Sequence, residues 1–210
     1  MIKEPTVNLF TVPNSLTELS SSSLIGRFVR SSLFVHDKVV GFDQVTLTEG
    51  GRRIRDLPNA GGNSVASEVM SFEVLRASYG ADLLKTEMEL EYFPMGGSIT
   101  DYSVLLYDLH IGVSVTRAMK YNGTFTEEDG LRILRKKLEG VIQSSRLVMD
   151  PFHKQVLHIF AEKEYIADVL EDLYNTSPEI TDDIKSSTLV IVTVATNSPW
   201  IFYNSCGKAR

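Results

Sequence analysis

The chain has 210 residues, of which 43% are hydrophobic and 23% are charged. That composition is typical of a globular protein and not of a disordered, collagen-like or coiled-coil chain. Its 21 lysines and arginines and 27 aspartates and glutamates give a formal net charge of -6, which argues against a general affinity for polyanions. Any contact with nucleic acid would therefore need a local basic patch.

The sequence pattern predicts neither a membrane-spanning segment nor a secretory signal. The longest apolar stretch is far shorter than the ~20 residues that a membrane-spanning helix needs, and the first ten residues lack the apolar region of a secretory signal. The single cysteine, Cys206, cannot form a disulfide within the chain. We therefore expect no membrane association and an intracellular location, cytoplasmic or nuclear.

The first part of the chain has weak signals for secondary structure. Short β-like runs occur at 33–35 and 44–47, and a cluster of breaking residues follows at 58–63. We interpret residues 1–60 as a poorly defined N-terminal extension and residues 61–210 as the main domain.

The signals become clear after the breaking residues. Apolar residues from Val65 to Tyr79 recur at spacings of three and four, which predicts a helix with Ser64 at its start and Gly80 at its end. The segment 85–93 alternates glutamates with apolar residues, which predicts a strand with one solvated face. Two more strands, at 99–107 and 110–116, are expected to complete an antiparallel meander.

The second half of the chain alternates between the two element types. A helix with acids in its first turn is predicted after Thr126, followed by a strand at 156–160, a helix at 164–174, a strand at 189–194 and a short strand at 200–203. The order from Ser64 is α-β-β-β-α-β-α-β-β. It predicts an α/β fold in which helices flank a mixed central sheet.

Two acidic residues occupy unusual positions in these elements. Glu68 falls within the apolar stripe of its helix, where burial of a carboxylate is costly unless it has a partner or a metal ion. It could instead lie on the rim near the helix start, where the helix dipole favours an acid. Asp101 enters the second strand of the meander after a glycine-rich turn, and it could be either a site residue or a turn-capping aspartate. Glu73 falls off the stripe and is expected to be solvated.

Polar and basic residues follow on the third strand and beyond. Alternation places Ser114 and Thr116 on one face, opposite Val113 and Val115, where they form either an ordinary Ser/Thr face or the lining of a site. The densest basic region comes next, and it is either a solvated helix face or a phosphate-contacting patch. Its members are Arg117, Lys120, Arg132, Arg135, Lys136 and Lys137.

The inward glutamate, the meander, the strand aspartate and the segment GVSVTR at 112–117 together resemble the PD-(D/E)XK nuclease superfamily. The resemblance covers roughly residues 64–160 and implies an αβββαβ restriction-endonuclease-like core, here with an N-terminal extension and extra C-terminal strands. Glu68 would match the helix glutamate and Asp101 the strand aspartate of that family. Ser114 and Thr116 would replace its second acid and its lysine.

The resemblance implies a metal-dependent phosphodiesterase that acts on DNA or RNA. Glu68 and Asp101 would hold Mg²⁺ or Mn²⁺, because carboxylates bind hard cations and a hydroxyl is a weak ligand for them. Lys120 or a helix lysine such as Lys137 could supply the missing ammonium group. The alternative is an inactive nuclease-like fold that binds nucleic acid or protein. An unrelated small-molecule enzyme is a third hypothesis, for which the sequence contains no motif.

A second resemblance concerns the segments GADLLKTEMELEYFP at 80–94 and GVSVTRAMKY at 112–121, with WIFYN at 200–204. These segments resemble a family of uncharacterised eukaryotic proteins labelled AAC-rich mRNA clone protein. That resemblance implies no function.

Overall fold

The computed structural model describes residues 26–34, 41–60 and 64–203. Within these ranges the chain builds one six-stranded sheet with helices on both faces. The strands are β1 (Arg27–Phe34), β2 (Asp82–Thr86), β3 (Tyr102–Leu106), β4 (Leu109–Ala118), β5 (Lys154–Ala161) and β6 (Thr188–Thr196). The helices are α1 (Glu49–Asp56), α2 (Val65–Tyr79), α3 (Glu127–Leu147), α4 (Glu164–Thr176) and the short α5 (Asp182–Lys185) and α6 (Pro199–Phe202).

The sheet is mixed, as the sequence predicts. Its strand order is β1-β6-β5-β4-β3-β2. The strands β2, β3 and β4 form the expected antiparallel meander, and β4, β5, β6 and β1 run parallel to one another. The predicted order of one helix, three strands, one helix and one strand is present from α2 to β5.

Two apolar layers cover the sheet. On one face, α2 contributes Val69 and Phe72 to a core that includes Val113 of β4. On the other face, α3 and α4 contribute residues such as Leu138 and Leu170. The central strands β5 and β6 are therefore buried on both sides, which explains why their sequences are apolar runs without alternation.

Local signals fix the ends of the two main helices. Gly80 ends α2 in the left-handed conformation at a φ of 73°, which glycine adopts without strain. The start of α3 is a capping box in which Thr126 and Asp129 each bind the backbone N–H group of the other. Both ends lie where the sequence predicts them.

The prediction of a strand over 85–93 is correct only for residues 85 and 86. The strand β2 ends at Thr86, and Glu87–Glu89 form a turn of 3₁₀ helix. The Glu89 carboxylate accepts from the Thr86 N–H at 2.8 Å and binds Arg53 of α1 at 2.6 Å. These contacts determine the backbone path here, although the alternation of the glutamates favours a strand.

The prediction of a strand at 200–203 is also wrong. The sequence analysis therefore predicts more than one extra C-terminal strand, whereas the described residues contain one. A single strand, β6, follows the nuclease-like order of elements, and α6 comes after it. Pro199 occupies the first helical turn, where its missing N–H group costs nothing. The next three residues are all buried, so the apolar run reflects burial and not a strand.

Elements from the first 60 residues take part in this architecture. The strand β1 pairs in parallel with β6, and Val29, Leu33 and Ile54 belong to the core beneath α2. Gln44 lies in a 3₁₀ turn, so the predicted β-run at 44–47 is not a strand. Cys206 lies outside the described residues. No helix of the described residues is long and apolar enough to cross a membrane.

Candidate functional site

The candidate site lies where β4 continues beyond the start of β3. The strand β3 begins at Tyr102, which pairs with Val113, whereas β4 runs on to Ala118. Beyond this point β4 has no β3 residue to complete its backbone hydrogen bonds. At Val115, the side chains of Asp101 and Lys137 bind the backbone N–H and carbonyl groups instead.

Asp101 binds this open edge of β4. Its backbone N–H donates to the carbonyl of Val113 at 3.1 Å, and its carboxylate accepts from the N–H of Val115 at 2.6 Å. Asp101 therefore precedes β3 rather than lying within the strand. Burial, with a smaller contribution from the nearby Glu68 carboxylate, raises the pKa of Asp101 to about 7. Lys137 and the Val115 N–H oppose this rise.

Glu68 approaches the same edge from α2. The side chain is buried, as expected from its place in the apolar stripe, and it accepts a hydrogen bond from the Ser64 hydroxyl. Burial raises the pKa of Glu68, and the negative charge of Glu87 adds to this effect. The positive charges of Lys137 and Arg117 act in the opposite direction. A pair of carboxylates with raised pKa values is typical of a functional site.

Lys137 reaches the edge from the opposite layer. It is half-buried on α3, and its ammonium group donates to the carbonyl of Val115 at 3.2 Å. Asp101 and Lys137 thus bind the two backbone groups of one residue. The sequence analysis assigns Lys137 to a nucleic-acid-binding patch and also names it as a helix lysine that could supply the missing ammonium group. Both assignments stay predictions.

Ser114 and Thr116 flank Val115 on β4. Val113 and Val115 belong to the core beneath α2, so alternation turns Ser114 and Thr116 toward the layer of α3. Ser114 is buried and Thr116 is half-buried. The two hydroxyl residues therefore lie on the face of β4 opposite to the α2 layer from which Glu68 comes.

The remaining basic residues do not form one patch with the acids. Lys120 binds Asp129 at 2.5 Å, and Arg132 binds the other oxygen of the same carboxylate at 3.1 Å. Arg135 is paired with Glu139 and with Glu179. Lys120 is therefore engaged by Asp129, and much of the basic charge is compensated locally.

Arg117 and Lys136 take up different positions. Arg117 is half-buried at the end of β4, where it donates to the carbonyl of Phe202 at 3.0 Å. Burial lowers the pKa of Arg117, and the negative charge of Glu68 opposes this effect. Lys136 is exposed on α3. Among the predicted basic residues, Arg117 and Lys137 interact electrostatically with Glu68.

Sequence analysis missed two acidic residues. Glu87 raises the pKa of both Glu68 and Asp101, and its carboxylate accepts from the N–H of Ala60 at 2.6 Å. Glu73 is buried, although it was expected to be solvated, because α1 covers that face of α2 and Thr48 donates two hydrogen bonds to it. No periodicity in the sequence reveals either contact, because both depend on how α1 and the 3₁₀ turn dock.

The donors at this edge are hard oxygen atoms. They are the carboxylates of Asp101 and Glu68, which suit Mg²⁺ or Mn²⁺ and suit zinc poorly. The carbonyl of Val115 already accepts from Lys137. Among the described residues, no three histidine, cysteine, aspartate or glutamate side chains come together in a metal-binding arrangement. A cation here would therefore take its further ligands from water or from a substrate phosphate, as Mg²⁺ commonly does.

Comparison with known proteins gives one informative match. The chain is 46% identical, over 164 residues, to the AAC-rich mRNA clone AAC4 protein of Dictyostelium discoideum. The match covers 74% of this chain and 24% of that protein, so the chain spans about a quarter of the length of its relative. The expected resemblance to AAC-rich mRNA clone proteins is confirmed. No family model matches the chain and no solved structure matches it significantly, so the resemblance to PD-(D/E)XK nucleases stays a prediction.

Proposed function

We propose that the protein is a metal-dependent phosphodiesterase that acts on DNA or RNA, with Asp101 and Glu68 as metal ligands and Lys137 as the catalytic lysine. One observation carries the proposal. The open edge of β4 brings Asp101 and Lys137 onto the backbone of Val115, between the two positions where the nuclease motif has its second acid and its lysine. The lysine that the strand lacks is thus replaced by one from the following helix.

The arrangement of elements supports the same proposal. The order from α2 to β5 is the αβββαβ order of the PD-(D/E)XK core. The mixed sheet, with an antiparallel meander followed by parallel strands, is compatible with that core. Fold similarity alone does not establish an activity, so the site has to carry the argument.

Each side chain has a defined task under this proposal. A bound Mg²⁺ or Mn²⁺ would polarise a phosphoryl oxygen and lower the pKa of a coordinated water. When ionised, Asp101 and Glu68 would supply carboxylate oxygens that bind such a cation. Lys137 holds an ammonium group next to both carboxylates, where it stabilises negative charge that develops on a phosphate. Arg117 is half-buried at the end of β4 and adds a positive charge that acts on Glu68.

The test is metal-dependent cleavage of plasmid DNA, single-stranded DNA and RNA in Mn²⁺ and in Mg²⁺. We expect Asp101→Ala and Lys137→Ala to reduce cleavage at least ~100-fold, the range for loss of a group that acts in the transition state. Lys136→Ala is the matched control, because Lys136 is the adjacent but exposed lysine of the same helix. It should cleave like the wild type.

Two outcomes would contradict the proposal. If Asp101→Ala cleaves like the wild type, the proposed site does not catalyse the reaction. If Lys137→Ala cleaves like the wild type, only the assignment of Lys137 as the catalytic lysine is wrong. Thermal melting of each variant, followed by circular dichroism, separates these outcomes from loss of the fold.

A binding module without catalysis is the second candidate. It is favoured by the hydroxyls of Ser114 and Thr116 at motif positions and by the lack of a three-residue metal cluster among the described side chains. This candidate predicts that the protein binds nucleic acid or a protein partner in the presence of Mn²⁺ without cleaving it. Any cleavage that Asp101→Ala abolishes would count against it.

A further inference from the structure

A chain of buried polar side chains crosses the sheet beneath α2. Ser71 of α2 is hydrogen-bonded to the hydroxyl of Tyr102 at 2.6 Å and to Nδ1 of His158 at 2.8 Å. The other ring nitrogen, Nε2, lies 2.7 Å from the hydroxyl of Thr193. Thr193 continues the chain to Ser31 at 2.5 Å. All five side chains are buried, so we call this set the buried polar chain.

The chemistry of the buried polar chain excludes a catalytic role of its own. Burial lowers the pKa of His158 to about 3, so the imidazole is neutral at physiological pH and has one donor and one acceptor nitrogen. Ser71 and His158 resemble a nucleophile and its base, but Ser71 has no exposed surface that a substrate could reach. The groups satisfy one another, which is what burial requires of polar atoms.

The buried polar chain ends beside the two acids of the site. Ser71 lies one helical turn after Glu68 on α2, and Tyr102 directly follows Asp101. His158 pairs in register with Val115, whose backbone binds Asp101 and Lys137. The bond from Ser71 to Tyr102 therefore links the helix that carries Glu68 to the strand start that carries Asp101.

We propose that the Ser71–Tyr102 hydrogen bond positions Glu68 relative to Asp101 and so determines how tightly the pair holds a divalent cation. Tyr102 and Ser71 are positioning residues in this account, because they link the helix and the strand start that carry the two carboxylates and do not contact the cation. The proposal rests on the assignment of Glu68 and Asp101 as metal ligands. Partners that orient metal ligands affect affinity strongly although they never touch the ion.

The test compares two ends of the buried polar chain. Tyr102→Phe removes one hydroxyl beside the acids and keeps the ring. Ser31→Ala removes one buried hydroxyl on β1, three strands from β4 in the sheet. The affinity for Mn²⁺ is measured from the free-ion signal in electron paramagnetic resonance, and the melting temperature of each variant is measured in parallel.

We expect Tyr102→Phe to weaken Mn²⁺ binding about tenfold, in the range found for loss of a group that orients a metal ligand. Ser31→Ala should leave the affinity within about twofold, because Ser31 lies at the far end of the buried polar chain, three hydrogen bonds from Ser71. Unchanged affinity in Tyr102→Phe overturns the positioning role. An equal loss of Mn²⁺ affinity in both variants also overturns the positioning role, because that pattern indicates a general effect of reduced stability.

Further outcomes have equally defined meanings. If Tyr102→Phe does not fold, Ser71→Ala takes its place, since it removes the same bond from the side of the helix, and the same criteria apply. If the wild type itself binds no Mn²⁺, the proposed metal site is wrong and the positioning role is overturned with it. Binding by the wild type that Tyr102→Phe leaves intact overturns the positioning role alone.

Discussion

At the scale of the residue, Asp101 is the clearest sign of a functional position. Its ordinary pKa is 3.8, and in the folded chain burial and the Glu68 carboxylate raise the pKa to about 7. The folded protein therefore holds the proton more tightly than the unfolded chain. The stability that this proton provides is present at low pH and is lost as the pH rises from about 4 to about 7.

Replacement of Asp101 by asparagine should remove the free-energy cost of ionising this carboxyl in the folded chain at high pH. Asp101→Asn keeps an oxygen that can accept from the Val115 N–H but carries no charge. We expect it to raise the free energy of unfolding by about 1–3 kcal/mol at pH 8, since one pKa unit corresponds to about 1.4 kcal/mol and solvent screens this partly exposed group. The gain should shrink at pH 4.5. Urea denaturation in a chelator measures both values.

The control for this prediction is Asp108→Asn. Asp108 is an exposed aspartate in the turn between β3 and β4, at a position with a φ of 60° that asparagine also tolerates. This variant should change the free energy of unfolding by less than about 0.5 kcal/mol at either pH. A pH-independent effect of Asp101→Asn would contradict the assigned cost of ionisation.

At the scale of the element, prediction from sequence succeeded where periodicity and burial agree. The helix α2 and its glycine end, the capped start of α3 and the apolar strands β5 and β6 all follow from local patterns. The 3₁₀ turn at Glu87–Glu89 and the helix α6 do not, because contacts with distant residues override the local pattern. The candidate site could be predicted from the sequence only in part. Asp101 and Glu68 are visible in the sequence, whereas Glu87 depends on docking.

The docking of α1 on α2 yields a prediction of its own. The N–H and hydroxyl groups of Thr48, which caps α1, both donate to one oxygen of Glu73, at 2.8 and 2.9 Å. Gly51 leaves the space that this carboxylate needs, since a Cβ atom there would lie 2.1 Å from Glu73. Glu73→Ala leaves buried donors without an acceptor and should lower the free energy of unfolding by about 1–3 kcal/mol.

Urea denaturation tests this prediction as well. Glu91→Ala is the control, because Glu91 is exposed, and it should stay within about 0.5 kcal/mol of the wild type. Glu73→Gln keeps an acceptor oxygen and should lose less stability than Glu73→Ala. Equal stability of Glu73→Ala and the wild type would show that the Thr48 contact does not hold α1 in place.

At the scale of the whole molecule, the position of the site follows from unequal strand lengths. The strand β4 has ten residues and β3 has five, so part of β4 has no partner from β3. Helices on opposite faces of the sheet deliver Glu68 and Lys137 to this open edge. The net charge of -6 and the paired basic side chains argue against a general affinity for nucleic acid.

The most direct test of this account is calorimetric titration of Mn²⁺ into the wild type and into Asp101→Ala at pH 8, where the Asp101 carboxylate is ionised. The account predicts saturable binding by the wild type that is lost in the variant, while the variant stays folded. An identical isotherm for both proteins would place the metal elsewhere. No binding by the wild type would contradict the metal site itself and favour the binding module.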